Sequence, residues 1–395
     1  MKALIVCFGI AVISSYATSE AQSQGTYLNY IKAFRGGLLR CDFLSKTGTE
    51  LARLKCWSGK GRHDFSEMLG NGAFFEIFPL MLKQGIADLL GVPLSDKTLG
   101  HFLEFTEREN RVYETVEEVK FRFRVFRANM IKATYLNETE QGTATYGATM
   151  FADMTRSEFQ RHLGLVMPKT PPVKKAKPAV IPQIILPAEY DWRTFNVVTP
   201  VKNQGQCGSC WAFSVTGNIE GLYAIANNKL LSFSEQELVD CDKLDNGCGG
   251  GFFNTAFEAI EKLGGLETED DYPYEGRNDQ CTLNKSEIRV SVRDYVNITT
   301  DETEIAKYLV GNGPISIGIN ANAMQFYMGG VSHPLKFLCD PMNLDHGVLI
   351  VGYGVHRYPV FHKTLPFWLI KNSWGPRWGV QVRKTCVIVG FVRLH

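Results

Sequence analysis

The sequence lacks a long apolar run beyond its first residues, and it lacks a marked excess of charge of either sign. Among its 395 residues, 42 Lys and Arg face 41 Asp and Glu, and no basic stripe appears, which argues against nucleic acid as a partner. No later stretch approaches the roughly 18 apolar residues of a membrane helix, so we expect a soluble mature protein with no membrane span. The sequence also lacks internal repeats, clusters of metal-ligating residues and phosphate-binding loops, so no cofactor or metal is expected.

The first residues have the pattern of a targeting signal. Lys2 precedes the apolar residues 3–13, and the small residues Ser14, Ser15 and Ala17 follow. A charged start, a short apolar run and an exit of small residues are typical of a secretory signal peptide, whereas a buried amino-terminal helix is the alternative. We therefore expect a signal peptide over residues 1–18 and a protein of the secretory pathway, lysosomal or extracellular.

The cysteines fit that compartment, because disulfides persist in oxidising surroundings. The chain has 10 cysteines, Cys7 leaves with the signal peptide, and the odd number that remains indicates one free, reactive thiol. Sequons for surface glycans begin at Asn137 (NET), Asn284 (NKS) and Asn297 (NIT).

The composition changes along the chain and divides it into segments. Residues 19–105 carry no motif with chemistry, and residues 106–140 have the apolar spacing of a charged amphipathic helix. Residues 167–186 interleave proline with lysine and predict an exposed linker that is easily cut. From residue 187 onward Trp, Cys and Gly become frequent; this part carries a net charge of −5 and the part before it +6.

The segment QGQCGSCWAFS, which begins at Gln204, is the most informative. Gly205 and Gly208 allow a tight bend before a helix that is predicted to begin near Ser209, so Cys210 lies in the first turn of that helix. The unpaired N–H groups and the dipole of a helix start favour an anion and lower the pKa of a thiol, and the thiolate is the reactive nucleophile. Gln204 supplies an amide donor suited to an oxyanion hole. The alternative places Cys210 in a disulfide.

This segment resembles the active-site signature of the papain-like cysteine proteases. That family uses a His and an Asn further along the chain, and the stretches LDHGVLIVGYG and WLIKNSWG supply His346 and Asn372. In the expected chemistry His346 takes the proton of Cys210 and later protonates the leaving amine, while Asn372 orients the ring. The resemblance implies that Trp374 shields the bond between His346 and Asn372. The alternative for His346 is a buried structural histidine.

The resemblance implies an α+β fold of two domains over residues 187–395, with a helical left domain and a β-barrel-like right domain. Strand-like runs at residues 347–354 and 367–371 flank a predicted long hairpin loop at residues 355–366. The disulfides that the resemblance implies are Cys207–Cys248, Cys241–Cys281 and Cys339–Cys386.

A glycine run, GCGGG, resembles the substrate-binding wall of the family. Gly250 and Gly251 let an extended peptide approach the backbone and pair with it as an added strand. Phe252 follows and is expected to line an apolar pocket that prefers an apolar side chain two residues before the cut. The alternative is a plain turn beside a disulfide.

Residues 106–166 resemble the inhibitory propeptide of the same family. The stretch GATMFAD, which begins at Gly147, resembles one of its motifs. The resemblance implies a helical domain that docks near the active site and a following strand that crosses the cleft. Because a basic pro-part faces an acidic enzyme, we expect protonation of carboxylates to weaken docking and to start activation in acid. The residues that match the long helix of the propeptide are Glu118, Arg122, Phe126, Asn129 and Ala133.

Ala133 and the stretches SFSEQELVDCD and GGLETEDDYPY most resemble the cathepsin F subfamily, in which a cystatin-like module precedes the propeptide. Residues 19–105 have the position and size of that module, although they lack a QxVxG inhibitory motif. After Gly379 the resemblance ends, because the aromatic strand that the family pattern requires is missing and Cys386 comes too early.

Together these features predict a cysteine-type endopeptidase made as a zymogen, which hydrolyses protein and peptide substrates through a thioester, optimally in acid. Its expected partners are its own propeptide and cystatin-type inhibitors. The altered carboxyl-terminal sequence leaves one alternative, a catalytically weak or inactive papain-fold binding protein.

Overall fold

The computed structural model describes residues 85–167, 176–335, 340, 342–358 and 363–379, together with the backbone of short strands near both ends of the chain. The chain forms two compact units, residues 1–131 and residues 132–395. The predicted signal peptide, residues 168–175 of the predicted linker and the predicted Cys339–Cys386 disulfide lie outside the described residues.

The described part of the first unit contains an antiparallel sheet, with strands paired in the order β1–β2–β3, a helical segment at residues 85–90 and two longer helices. The ring of Phe102 meets Phe123 and Phe126 edge-on, with centroids 5.3 Å apart, so the apolar face of α2 packs on α1. The cystatin-like nature of residues 19–105 stays a prediction. The elements used below are β1 (Arg40–Leu44), β2 (Arg53–Ser58), β3 (Gly61–Asp64), α1 (Lys97–Arg108) and α2 (Val116–Thr139).

The prediction of one helix over residues 106–140 is wrong at its start. Helix α1 ends at Arg108 and α2 begins at Val116. Asn110 between them has a φ of 49°, a left-handed backbone conformation that terminates a helix and that asparagine tolerates well.

A helix of the second unit carries the predicted nucleophile. Helix α4 begins as predicted, with Ser209 at its N-cap and Cys210 as its first residue. Trp211 of α4 packs with Leu238 of α5 and Ile260 of α6 in a buried apolar core. No helix within the described residues is long and apolar enough to cross a membrane. The helices are α3 (Arg156–Phe159), α4 (Cys210–Asn227), α5 (Glu235–Cys241), α6 (Phe253–Leu263) and α7 (Glu302–Asn312).

Strand β10 is the hub of the main sheet, whose path runs β12–β11–β10–β6, with β8 also paired to β10. The mixture of helices and sheet confirms the predicted α+β class, whereas the barrel-like form stays a prediction. The strands are β4 (Thr145–Tyr146), β5 (Lys177–Pro178), β6 (Tyr190–Asp191), β7 (Val296–Asn297), β8 (Ile315–Ile319), β9 (Tyr327–Gly329), β10 (His346–Tyr358), β11 (Lys363–Lys371) and β12 (Cys386–Ile388).

The hairpin of β10 and β11 decides where the predicted His and Asn meet. Leu349 pairs with Lys371, so the residue after β11, Asn372, falls beside the start of β10 at His346. The prediction of a loop over residues 355–366 is wrong, because residues 355–358 and 363–366 pair and lengthen the two strands. The added pairs lie at the end of the hairpin opposite to His346 and Asn372.

Candidate active site

The Cys210 thiol lies buried at the amino-terminal end of α4. Its Sγ accepts hydrogen bonds from the backbone N–H of Gly164, at 3.1 Å, and of Gly347, at 3.3 Å. Gly347 directly follows His346, so the start of helix α4 and the start of strand β10 lie next to each other at this sulfur. Within the described part of the chain Cys210 is the free cysteine.

The imidazole of His346 is oriented by Asn372. Its Nε2 lies 2.7 Å from Asn372 Oδ1, which also accepts from the N–H of Ser373. Because that amide oxygen is an acceptor, Nε2 carries the proton and Nδ1 is left as the base. Nδ1 has no hydrogen-bond partner among the described residues. Trp374 stacks on the ring, with centroids 4.5 Å apart, and covers the bond between His346 and Asn372.

Both reactive groups are held uncharged in this structure. Burial raises the pKa of the Cys210 thiol to about 12, although the N–H groups of Gly347 and Gly164 oppose the rise. Burial lowers the pKa of His346 to about 4, although the bond to Asn372 opposes the fall. The predicted lowering of the thiol pKa is therefore wrong for this covered state, because desolvation outweighs the helix start.

The segment that covers the thiol is the end of the propeptide-like region, and we call residues 140–167 the pro-segment. The N–H of Gly251 donates to Gly164 O at 2.9 Å, and the N–H of Val166 donates to Gly251 O at 3.0 Å. Gly164 also passes close to Gly208, since a Cβ added at Gly164 would lie 1.8 Å from the Gly208 carbonyl oxygen. We call the glycine run at residues 247–251 the glycine wall. The pro-segment thus pairs with the glycine wall as an added strand, parallel at Leu165.

Gln204, the predicted oxyanion-hole donor, faces the same segment. Its Nε2 donates to the carbonyl oxygens of His162, at 3.0 Å, and of Cys207, at 2.8 Å. Its Oε1 accepts from the Ser373 hydroxyl, which fixes the orientation of the amide group. The carbonyl oxygen of His162, in the pro-segment, therefore accepts the hydrogen bond from Gln204 that the carbonyl oxygen of a substrate would need.

A cavity of about 280 Å³ opens beside the glycine wall. The side chain of Leu165 enters it so closely that a Cβ added at Gly318 would lie 2.6 Å from Leu165 Cδ2. Phe252, as predicted from its place in the motif, lines this cavity together with Phe253 and Leu344. The lining of the cavity is therefore mostly apolar, and the side chain of Leu165 lies against it.

Two disulfides anchor these loops, Cys207–Cys248 and Cys241–Cys281. The first joins the cysteine motif to the glycine wall, and the N–H of Gly208 donates to Cys248 O at 3.0 Å beside it. The two surfaces that would contact a substrate backbone are thus covalently tied.

The three predicted glycan sites lie among the described residues. Asn284 is exposed, and Asn297 is half-buried. The side-chain amide of Asn137 donates to Tyr146 O and accepts from the Tyr146 N–H. The nitrogen to which a glycan would be attached therefore already makes a hydrogen bond.

An ionic network buried behind the site was not predicted from the sequence. Lys202 Nζ lies 3.0 Å from Glu220 Oε1 and 2.7 Å from Glu235 Oε1, and Lys371 Nζ lies 3.6 Å from Glu220 Oε2. We call these four side chains the ionic network. Burial opposes the charge of Glu220, but Lys202 and Lys371 outweigh it and lower the pKa of that carboxyl. Two features of the sequence could have indicated buried charges here. Glu220 lies in an apolar stretch of α4, and Lys371 directly precedes Asn372.

Two models of known protein families match the chain. The papain family cysteine protease model matches residues 186–383, and the cathepsin propeptide inhibitor domain matches residues 102–159. The chain therefore belongs to the papain family of cysteine proteases, and the resemblance predicted from its motifs is confirmed. The peptidase match extends slightly past Gly379, where the motif resemblance ended.

Within the family the chain is similar to cathepsin F, as its motifs predicted. It is 53% identical to cathepsin F of Drosophila melanogaster over 289 residues, which cover 72% of this chain and 47% of that protein. It is 45% identical to cathepsin F of Mus musculus, with 79% and 65% covered. The chain thus spans about half the length of the fly relative and about two thirds of the mouse relative.

Solved precursor structures have the same fold. The digestive procathepsin L 3 of Tenebrio molitor superposes with a TM-score of 0.64 at 31% identity, covering 76% of this chain and 94% of that chain. The recombinant stem bromelain precursor superposes with a TM-score of 0.63 at 30% identity, covering 74% and 92%.

Proposed function

We propose that the chain is the zymogen of a cysteine-type endopeptidase in which Cys210, His346 and Asn372 carry the chemistry. The observation that supports this most directly is the ring of His346, whose Nε2–H is fixed by Asn372 and whose Nδ1 has no hydrogen-bond partner among the described residues, while the next residue, Gly347, donates to the Cys210 thiol. In that tautomer the histidine can accept the thiol proton.

The reaction follows from these groups. His346 Nδ1 takes the proton of Cys210, and the thiolate attacks the carbonyl carbon of the peptide bond. Gln204 Nε2 and the backbone N–H of Cys210 stabilise the oxyanion that forms. The imidazolium then protonates the leaving amine, and a water molecule activated by the same ring hydrolyses the thioester.

The pro-segment keeps the enzyme inactive in three ways. It pairs with Gly251, it occupies Gln204 with the carbonyl group of His162, and it removes water from the thiol and imidazole. Removal of water favours the neutral pair over the thiolate and imidazolium. Release of the pro-segment therefore restores both access and charge.

The remaining assignments belong to the same proposal. Leu165 in the cavity supports a preference for an apolar side chain two residues before the cut. The proposed organisation is a signal peptide over residues 1–18, a pro-module over 19–105, a propeptide over 106–166, a cleaved linker over 167–186 and a peptidase domain from 187. Protein and peptide substrates, cystatin-type inhibitors, glycosylation and a lysosomal or extracellular location follow from the family and from the targeting pattern.

Covalent labelling tests the proposal. The full chain would be incubated at acid pH, treated with an epoxide inhibitor of cysteine proteases and weighed as intact protein, with Cys210→Ala as the control. One label that is lost in Cys210→Ala, together with peptide hydrolysis that is lost in parallel, is the expected result. Folded protein that takes up no label would instead indicate a papain-fold binding protein.

A further inference from the structure

Gly251, the residue of the glycine wall that pairs with the pro-segment, has no side chain that could fix the orientation of its peptide groups. Gly251 supplies both the N–H and the C=O that hold the pro-segment backbone. A Cβ at this position would lie 2.6 Å from a ring carbon of Trp211 and 2.8 Å from the carboxyl carbon of Asp245. The orientation of the Gly251 peptide units must therefore be set from outside.

The carboxylate of Asp245 holds the other edge of the peptide unit that carries the Gly251 carbonyl. A peptide unit is planar, so Gly251 C=O and Phe252 N–H turn together and point in opposite directions. The N–H of Phe252 donates to Asp245 Oδ1 at 3.0 Å, while Val166 donates to Gly251 O at 3.0 Å on the other edge. The hydroxyl of Thr255 on α6 also donates to Asp245 Oδ1, at 2.8 Å, and fixes the carboxylate itself.

Asp242 supports Asp245 from behind. Asp242 Oδ1 accepts from the N–H of Leu244 at 2.7 Å and of Asp245 at 3.2 Å. Asp242 and Asp245 each shift the pKa of the other carboxyl group, and the Oδ2 atom of each is buried without a donor in the described part of the chain. Two adjacent buried carboxyl groups satisfy both oxygens by sharing one proton.

We propose that Asp245, braced by Asp242, is a positioning residue that orients the Gly251 carbonyl to accept an N–H group from the backbone of a peptide substrate. The inference rests on the proposed peptidase function, because it assigns to substrates the pairing that the pro-segment makes here. Burial and the neighbouring Asp242 raise the pKa of Asp245, which fits a carboxyl pair that retains its shared proton in the acid conditions expected for activity.

The first test needs no activity and uses the full chain as the zymogen. Amide hydrogen exchange would be measured by NMR in wild type, Asp245→Ala, Asp245→Asn and the control Asp271→Ala, an exposed aspartate that accepts from Thr268. Loss of the hydrogen bond from the Phe252 N–H to Asp245 is expected to speed exchange of the Val166 and Gly251 amides about tenfold in Asp245→Ala. Asp245→Asn should exchange like wild type, because its Oδ1 still accepts and its Nδ2–H replaces the shared proton. Unchanged exchange at Val166 in folded Asp245→Ala would overturn the proposal.

The second test uses the acid-activated protein and a peptide series in which each backbone N–H is replaced in turn by an ester oxygen. For the all-amide peptide, Asp245→Ala is expected to raise KM about tenfold and to change kcat by less than about twofold. At the position where the ester raises KM in wild type, Asp245→Ala should cause no further increase, since the same bond is already absent. An equal KM increase for every ester, or a loss confined to kcat, would overturn the proposal.

Epoxide labelling and a substitute variant distinguish three failures: of the peptidase function, of the role of Asp245, and of folding in the variant. Epoxide labelling of Cys210 in each variant reports whether the nucleophile is intact; wild type that takes no label refutes the peptidase function, while the exchange test still decides the role of Asp245. If Asp245→Ala does not fold, Asp245→Ser replaces it, because the shorter hydroxyl side chain fills part of the site without reaching the Phe252 N–H.

Discussion

At the scale of single residues, Cys210 shows two opposing influences on one thiol. The start of α4 and the N–H groups of Gly164 and Gly347 favour a thiolate. Burial beneath the pro-segment favours the neutral thiol, and burial prevails. The residue that defines the chemistry is therefore kept inactive by the removal of water, in addition to being blocked sterically.

This balance predicts the pH dependence of thiol alkylation. With a pKa near 12 in the zymogen, the thiolate fraction of Cys210 should rise about tenfold per pH unit between pH 6 and 9, without a plateau. After acid activation the exposed thiolate–imidazolium pair should react readily already at pH 5. Iodoacetamide labelling, quantified on the peptide that contains Cys210, measures both profiles. A plateau below pH 8 in the intact zymogen would contradict the prediction.

At the scale of elements, the ionic network joins pieces that are distant in sequence. Glu220 lies on α4, Glu235 begins α5, and Lys371 ends β11 directly before Asn372. Lys202 bonds to both glutamates, which connects α4 and α5. These helices and this strand carry the thiol and the histidine's partner, so the network fixes the elements that build the site.

Removal of Lys202 is predicted to destabilise the fold strongly. The change Lys202→Met leaves Glu220 and Glu235 buried without their shared cation, and breaking a buried pair in this way costs about 3–5 kcal/mol. Urea unfolding of the two proteins measures the loss. The matched control is Arg277→Met, which removes an exposed ion pair with Glu275 and should cost less than about 1 kcal/mol. Equal losses in the two variants would be incompatible with the prediction.

At the scale of the whole molecule, the pro-segment is bound at several places within the second unit. One is the cleft at Gly251, another is the pairing of β4 with β9, and a third is a contact at Gln325. The buried Gln325 Nε2 donates to the carbonyl oxygens of Phe151, at 3.1 Å, and of Met154, at 3.0 Å, and the Thr149 hydroxyl donates to Gln325 O. Because these bonds join Gln325 to the pro-segment, we expect Gln325 to affect inhibition without taking part in catalysis.

The change Gln325→Ala is therefore predicted to accelerate activation and to leave the mature enzyme unchanged. It removes the two hydrogen bonds from the Gln325 amide to the carbonyl oxygens of Phe151 and Met154, a loss of about 1–3 kcal/mol that corresponds to roughly tenfold or more in release of the pro-segment. Gel analysis of full-length protein at pH 5 measures the rate of processing, and kcat/KM of the mature form provides the internal comparison. The control is Gln280→Ala, at an exposed site. Processing at the wild-type rate would disprove the role of Gln325.

Much of the site was predictable because its chemistry is carried by contiguous motifs. Cys210 follows from the helix start in QGQCGSCWAFS, and His346 and Asn372 follow from motifs on β10 and after β11. Glu220 and Asp245 were not predictable, because a lone acidic residue in a sequence does not show which cation or N–H it will face. The loop predicted at residues 355–366 failed for a related reason, since strand pairing depends on the partner strand.

The sequence by itself determined the family, the proposed nucleophile with its histidine and asparagine, and the presence of an inhibitory pro-part. These depend on residue types at short spacings, which local backbone preferences translate directly into structure. Only the tertiary structure decided the protonation state of the thiol, the bracing of Gly251 and the ionic network. Those properties depend on exclusion of water and on distances between elements far apart in the chain, and both exist only after the chain has folded.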